Sequence, residues 1–171
     1  MDRSRRAALI CCHFTRNLAY YRAGWRDKQS IFPGNDLWKS INSNFLDVAV
    51  LEWCKLFADG QARHGWRKVV VDSSAFLPQM LSDTETSLRE WGSYLKRMRG
   101  YRDKFIAHLD SGKIMNIPHM NLAEFAVYYL YDTVTAEQSS ELFKDLPSNL
   151  RSYRDSCRTA AVDAYTNATR K

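Results

Sequence analysis

Residues 88–109, LREWGSYLKRMRGYRDKFIAHL, decide the fold, because they carry the clearest helical spacing in the chain. Their apolar side chains recur every three or four positions and so fall on one face of an α-helix: Leu88, Trp91, Leu95, Met98, Phe105 and Leu109. Ser82 and Glu85 precede this stretch in the Ser-x-x-Glu pattern of a capping box, which predicts that the helix begins there. Gly92 and Gly100 lie inside the helix and weaken it somewhat.

The rest of the chain shows the same spacing in four further predicted helices, with capping residues or helix breakers at their ends. These helices span about residues 5–22, 35–57, 121–135 and 148–169. Residues 61–81 predict a loop with a short helix, because Pro78 interrupts their apolar stretch. Lys68–Asp72 would also suit a short strand, but the sequence offers no obvious second strand to pair with it. We therefore predict one domain over residues 1–171, an all-α bundle of about five helices joined by short loops.

The composition is that of a globular and moderately basic protein. The 171 residues are 45% hydrophobic and carry a net charge of +6. This hydrophobic share excludes intrinsic disorder, which needs low hydrophobicity. No apolar run approaches the roughly 20 residues that span a bilayer, and no signal peptide is expected at the start of the chain. The positive charge favours an anionic partner such as RNA, although it is spread along the chain and not gathered in one tail.

The four cysteines predict no metal knuckle, because the sequence has no Cys-x-x-Cys pair. Cys11, Cys12 and His13 would supply zinc ligands only together with the distant Cys54. Free thiols buried in helices are the favoured interpretation of this pattern, and they are consistent with a reducing cytoplasm. We therefore expect a cytoplasmic protein with no metal site and no cofactor.

Arg102, Asp103 and His108 are the candidate catalytic residues. Arg102 occupies the position between Met98 and Phe105 where the apolar stripe calls for an apolar residue. A cation placed there needs a carboxylate, helix-end carbonyls or a bound phosphate as its partner. A guanidinium can hold a phosphate through several donors, and an imidazole can move a proton near neutral pH. In the competing interpretation the Arg102 stem packs while its head reaches water or pairs with an acid.

Two observations limit what the spacing of Arg102 and His108 establishes about a site. One is the direction of the two side chains on a helix, and the other is the presence of a second such pair in the chain. On a straight helix Arg102 and His108 point about 120° apart. They converge only if the helix bends or ends between them, or if two protomers build one site. Arg6 and His13 are seven positions apart and Arg102 and His108 six, so both pairs fall among the three spacings that the pattern permits, but a non-polar residue follows Arg6. Asp103, directly after Arg102, and the helical context distinguish the first pair.

The stretch MRGYRDKFIAHLD, residues 98–110, resembles the signature of HEPN domains, most closely those of the bacterial abortive-infection type. Residues 51–57, LEWCKLF, are also similar to that subset, and the two stretches cover under a fifth of the chain. The resemblance implies a HEPN-like all-α bundle that forms a homodimer, with two copies of the motif in its cleft. It further implies metal-independent RNA cleavage, often by a toxin encoded beside a nucleotidyltransferase or other antitoxin. Other members of the family are inactive or serve as binding modules.

Carried over to this sequence, the family pattern makes His108 the general acid/base that helps a ribose 2′-hydroxyl attack the adjacent phosphate. Arg102 would hold that phosphate, and Asp103 would orient Arg102 or His108. The expected products are a 2′,3′-cyclic phosphate and a 5′-hydroxyl, so DNA should resist cleavage.

Additional RNA contacts are predicted at Lys104, beside the motif, and at Arg67 and Lys68, in the basic stretch 63–68. The favoured interpretation of that stretch is nevertheless a solvated loop with Trp66 tucked into the core. A solvated face is also favoured over a phosphate-binding stripe for three arginines of the last helix: Arg151, Arg154 and Arg158.

The sequence thus predicts a metal-independent endoribonuclease of HEPN type, acting in bacterial defence or as the toxin of a toxin–antitoxin pair. The alternative is a non-catalytic HEPN-like module that binds a nucleotide or a protein. In a third interpretation the Arg–His pair is only structural. Arg102 would then be salt-bridged within one subunit, and His108 would face no cleft.

Overall fold

The fold is all-α, as predicted. A computed structural model describes residues 2–103 and 117–169, and these residues form six α-helices and one short hairpin. The helices are α1 (Arg3–Ala23), α2 (Asp36–Trp53), α3 (Ser73–Asp83), α4 (Leu88–Tyr101), α5 (Met120–Glu137) and α6 (Leu150–Thr169). Four of them, α1, α2, α5 and α6, lie within a few residues of the predicted ranges. The sixth is α3, the short helix expected within residues 61–81.

Local capping explains where the first two helices begin. The Asp2 carboxylate accepts hydrogen bonds from the backbone N–H groups of Ser4 and Arg5, at 2.7 and 3.2 Å, at the start of α1. Asn35 caps α2 by accepting from the N–H of Trp38 at 3.2 Å. The chain then leaves α-helical geometry after α2 and continues as a π-helical turn, residues 54–58.

The predicted start of the motif helix was wrong. Ser82 and Glu85 lie at the end of α3, where Glu85 takes a left-handed conformation (φ 50°) and the N–H of Thr86 bonds to the carbonyl of Leu81 at 2.9 Å. The capping box is the next Ser-x-x-Glu of the chain. There Ser87 and Glu90 each accept a hydrogen bond from the other's backbone N–H. A four-residue pattern that occurs twice within nine residues cannot by itself locate one helix start.

The predicted loop and short helix of residues 61–81 are confirmed, since residues 66–68 form a 3₁₀ turn that leads to α3 and Lys68–Asp72 does not form a strand. The expectation for Pro78 was wrong. Pro78 lies inside α3 and does not interrupt it; the helix keeps a strong cap at Asp72, which accepts from two backbone N–H groups. The described strands are β1 (Trp25–Arg26) and β2 (Gln29–Ser30), an antiparallel pair that the sequence did not reveal.

The core is built around α1, which packs against α2, α5 and α6. The buried side of α4 differs from the predicted stripe, because Leu88 is 69% exposed. The buried residues of α4 are Trp91, Tyr94, Met98 and Tyr101. Tyr101 therefore takes the position assigned to Arg102, and Arg102 lies beside it at the edge of the buried face. The cation does not interrupt the apolar packing.

All four cysteines are free and buried, as predicted for thiols in helices. Within the described residues no group of three His, Cys, Asp or Glu side chains is arranged to hold a metal ion. None of the helices described combines the length and apolar character that crossing a membrane requires.

An ion pair joins the first turn of α1 to the segment before α6 and should make stability depend on acid pH. The Arg5 guanidinium donates two hydrogen bonds to the Asp145 carboxylate, at 2.7 and 2.8 Å, which lowers the pKa of Asp145 to about 2. A carboxylate with a lowered pKa stabilises the fold above its unfolded pKa, and this contribution is lost as pH falls through the folded value.

We expect Asp145→Asn to lower the urea midpoint at pH 6, and the difference from wild type to narrow as pH falls from 4 towards 2. Asp163→Asn is the matched control, because it removes an exposed carboxylate that has no ion pair in the described part of the chain. A difference that stays constant down to pH 2 would contradict this role of the pair.

Candidate functional site

The predicted motif lies at the C-terminal end of α4. Arg102 and Asp103 continue that helix in π-helical geometry. The N–H of Arg102 bonds back to the carbonyls of Met98 and Arg99. His108 and Lys104 lie outside the described residues, so their catalytic and RNA-binding roles stay predictions. π-helical turns occur frequently at functional sites because they redirect side chains within a helix.

Arg102 is held between two carboxylates. Its Nε donates to Asp103 Oδ1 at 2.8 Å, and its Nη1 donates to Asp59 Oδ1. The Arg102 side chain is 22% exposed, against 40% for Asp59 and 57% for Asp103. No acceptor for Nη2 is found among residues 2–103 and 117–169, so in that part of the chain the two N–H groups of Nη2 are without a protein partner.

Asp59 reaches Arg102 because the end of α4 is fastened to the π-helical turn that follows α2. Arg99 Nε donates to the carbonyl of Ala58 at 3.0 Å. The Cys54 thiol donates to the carbonyl of Met98 at 4.0 Å, the long distance usual for sulfur. These contacts fix the backbone on both sides of the ion pair. The two carboxylates therefore hold the guanidinium in one place at the protein surface.

The electrostatics of the cluster keep Arg102 charged and Cys54 neutral. The hydrogen bond from Arg102 to Asp103 raises the pKa of the guanidinium, and the bond to Asp59 raises it further against the opposing effect of partial burial. Burial raises the pKa of Cys54 to about 12, although the charge of Arg102 opposes that change. Cys54 is therefore a protonated thiol at neutral pH and does not supply a thiolate nucleophile.

The loop that follows the π-helical turn, residues 59–68, carries Asp59 and two of the predicted RNA contacts. Asp59, Arg67 and Lys68 all border a small cavity of about 20 Å³ beside the π-helical turn. Both basic side chains are exposed, and the Arg67 guanidinium lies 4.8 Å from the centre of the Trp66 ring. Two segments that the sequence analysis selected separately thus meet at Asp59.

Trp66 lies in the core, as the favoured interpretation of the basic stretch 63–68 predicted. It is 5% exposed and stacks on Phe76 with ring centroids 5.1 Å apart. Its ring is therefore not available for base stacking, and any contact of this loop with RNA would go through charged side chains to phosphate.

The arginine row on α6 is mostly neutralised within the protein. Arg151 pairs with Asp132 at 3.2 Å, and Arg154 pairs with Asp155 at 2.8 Å. This pairing fits the predicted solvated face and leaves Arg158 as the member of the row without an ion pair in the residues described.

Asp59 was not among the predicted site residues. It follows the predicted helix of residues 35–57, and nothing in the spacing connects Asp59 with a residue 43 positions later. The one available signal was the requirement that a cation at position 102 have a partner. That requirement does not choose among the 19 acidic residues of the chain.

Comparison with protein-family models, with curated proteins and with solved structures finds no match to this chain. The resemblance to HEPN domains therefore depends on the residues quoted above, positions 98–110 and 51–57.

Proposed function

We propose that this protein is a metal-independent endoribonuclease of HEPN type, with Arg102, Asp103 and His108 as its catalytic residues. We place it in the cytoplasm, in line with its free thiols. Its biological role in this proposal is bacterial defence, or that of a toxin neutralised by a separate antitoxin such as a nucleotidyltransferase.

The observation that carries the proposal is the fixed, partly exposed guanidinium of Arg102. Asp103 binds Nε and Asp59 binds Nη1, and within residues 2–103 and 117–169 no acceptor takes the donors of Nη2, which the proposal assigns to an anion. Donors fixed before the reaction stabilise developing charge without a cost of reorganisation. This contact of Asp103 with Nε supports the orienting role that the family resemblance implies for it.

In the proposed reaction, a base removes the proton of a ribose 2′-hydroxyl, and the resulting oxygen attacks the neighbouring phosphorus. The bond from phosphorus to the 5′-oxygen breaks, and that oxygen takes up a proton. His108 serves these proton transfers, while Arg102 neutralises charge that builds on the phosphate. No water is consumed, and the products are a 2′,3′-cyclic phosphate and a 5′-hydroxyl.

A homodimer is part of the proposal. Arg102 and His108 would point about 120° apart on a straight helix, so two copies of the motif facing each other supply a simple way to complete one site.

The test compares an RNA oligonucleotide with DNA of the same sequence, in EDTA, using protein freed of any copurifying antitoxin. We expect cleavage of RNA alone, with cyclic-phosphate and 5′-hydroxyl ends identified by mass spectrometry. Cleavage of DNA as well would contradict attack by a 2′-hydroxyl. Intact RNA would contradict the nuclease proposal.

The third interpretation, a purely structural Arg–His pair, is favoured by one specific observation. Arg102 is salt-bridged within one subunit to Asp59 and Asp103, which is the pairing expected of a structural arginine. Two carboxylates around one guanidinium give this cluster a formal net charge of −1, which opposes a phosphate. An absence of RNA cleavage in the experiment above would leave this interpretation and the non-catalytic module that binds a nucleotide or a protein.

A further inference from the structure

The outward side of α4 carries a row of cations that leads to the candidate site. Residues 88–103 include five cationic and two acidic side chains, so they carry +3 of the net charge of +6. The buried side of this helix is the one that carries Trp91 and Met98. With about 100° between successive residues, Arg89 and Lys96 point within about 20° of each other and away from that buried side. Both are exposed.

Arg99 links these two cations to the candidate site. It lies about 60° around the helix from Lys96 and about 4.5 Å further along the axis. Its Nε donates to the carbonyl of Ala58 at 3.0 Å, in the π-helical turn beside the candidate site. A line from Lys96 through Arg99 therefore leads to Arg102, and we name Arg89, Lys96 and Arg99 the α4 row.

The α4 row is not balanced by acidic residues in the part of the chain that the structure describes. None of its three cations forms an ion pair there, and all three are exposed. The acids of the same segment are engaged by other groups. Glu90 accepts from the backbone N–H and the hydroxyl of Ser87, at 2.8 and 2.6 Å, and Asp103 accepts from Arg102. The positive charge of the row is therefore left for a partner.

Gly92 leaves bare backbone on the same outward side, between Arg89 and Lys96. Glycine weakens a helix interior. A Cβ built at Gly92 meets no atom of the described structure within 4 Å, so packing there does not require a glycine. Residues that break a local rule in this way often mark functional surfaces, and a missing side chain lets the backbone of a ligand approach closely.

We propose that the α4 row is a docking surface for the phosphate backbone of single-stranded RNA and leads the strand to Arg102. Guanidinium and ammonium groups bind phosphate by charge and by several hydrogen-bond donors, without regard to base. A second copy of the chain that presented the same face would not fit, because Arg89 and Lys96 of the two copies would repel each other. The choice of RNA as the polyanion rests on the proposed function.

The test measures binding of a fluorescent 2′-O-methyl RNA, which lacks the free 2′-hydroxyl that the proposed reaction requires. The variant R89Q/K96Q removes two charges of the row and keeps Arg99, whose hydrogen bond holds the backbone. We expect it to bind roughly fivefold to tenfold more weakly than wild type, with the slope of log K against log salt reduced by about 1.4. The matched control K28Q/R158Q removes an exposed lysine and an exposed arginine elsewhere and should keep the wild-type affinity.

Gly92→Gln tests the close approach of the strand without a change in charge. We expect this variant to raise the midpoint of thermal unfolding, because glutamine is a better helix former than glycine. It should nevertheless weaken binding, by roughly threefold, because the new side chain covers the bare backbone. R89Q/K96Q should keep the wild-type midpoint, since neither side chain has an ion pair in the described residues. A loss of affinity in a stably folded variant therefore reports docking.

Equal loss of affinity in R89Q/K96Q and K28Q/R158Q would overturn the proposal, because binding would then follow net charge alone. Wild-type affinity in R89Q/K96Q or in Gly92→Gln would also overturn it, as would absent binding by the wild-type protein. These results do not depend on whether unmodified RNA is cleaved. The docking surface and the proposed nuclease can therefore each fail alone.

Discussion

We expect His108→Ala to lose metal-free RNA cleavage by a factor of about 10²–10⁴, the usual contribution of a positioned general acid or base. The imidazole is the group of the motif that can exchange a proton near neutral pH, whereas Arg102 stays charged. Initial rates on labelled RNA in EDTA measure the effect, and circular dichroism checks the fold.

His119→Ala is the matched control for this experiment. His119 is exposed, makes no capping hydrogen bond with its side chain, and uses its backbone carbonyl to accept from Tyr94 at 2.8 Å. Its loss removes an imidazole that makes no hydrogen bond with Arg102 or Asp103, so cleavage should continue at the wild-type rate. Wild-type cleavage by a folded His108→Ala would contradict the assigned role. Should that variant unfold, His108→Asn keeps a polar side chain and repeats the test.

The paired state of Arg102 determines how the site would have to work. Asp59 and Asp103 fix the guanidinium, but their charge also opposes an incoming phosphate. Arg67 and Lys68 border the same small cavity as Asp59 and supply cations that reduce this opposition. The structural and catalytic interpretations of Arg102 thus share one geometry. Only RNA cleavage or its absence separates them.

The helices were predictable where local spacing and burial agree. Helices α1, α2, α5 and α6 coincide with stretches of apolar residues at helical spacing, and α1 and α2 begin at the capping residues Asp2 and Asn35. The start of α4 was misplaced because both Ser82 and Ser87 begin a Ser-x-x-Glu pattern. Only the tertiary packing, which buries Trp91 and exposes Leu88, distinguishes them.

The hairpin and the Arg102–Asp59 ion pair could not be predicted from the sequence. The physical reason differs between the two. The hairpin turns through Asp27 and Lys28, both at positive φ, without the glycine that usually marks such a turn. Arg102 and Asp103 are neighbours in sequence, so their contact could be anticipated. The contact with Asp59 depends on how the π-helical turn meets α4, which no local pattern encodes.

The junction between the π-helical turn and α4 depends on Trp53, and we expect Trp53→Ala to reduce the free energy of unfolding by about 3–5 kcal/mol. Trp53 is fully buried. Its ring lies 5.2 Å from that of Phe57, 5.8 Å from Trp91 and 5.5 Å from Tyr94. Truncation removes the centre of this aromatic cluster and leaves a cavity that the surrounding rings cannot fill.

Urea unfolding followed by circular dichroism measures this loss, because it does not depend on tryptophan fluorescence. Trp25→Ala is the matched control: Trp25 is 42% exposed, so its removal should cost well under half as much. Trp53→Phe should be milder than Trp53→Ala, since the indole N–H has no hydrogen-bond partner in the residues described. An equal loss in Trp53→Ala and Trp25→Ala would contradict a central role for this cluster. Because Trp53 packs α4 against the turn that leads to Asp59, its truncation should also loosen the Arg102–Asp59 pair.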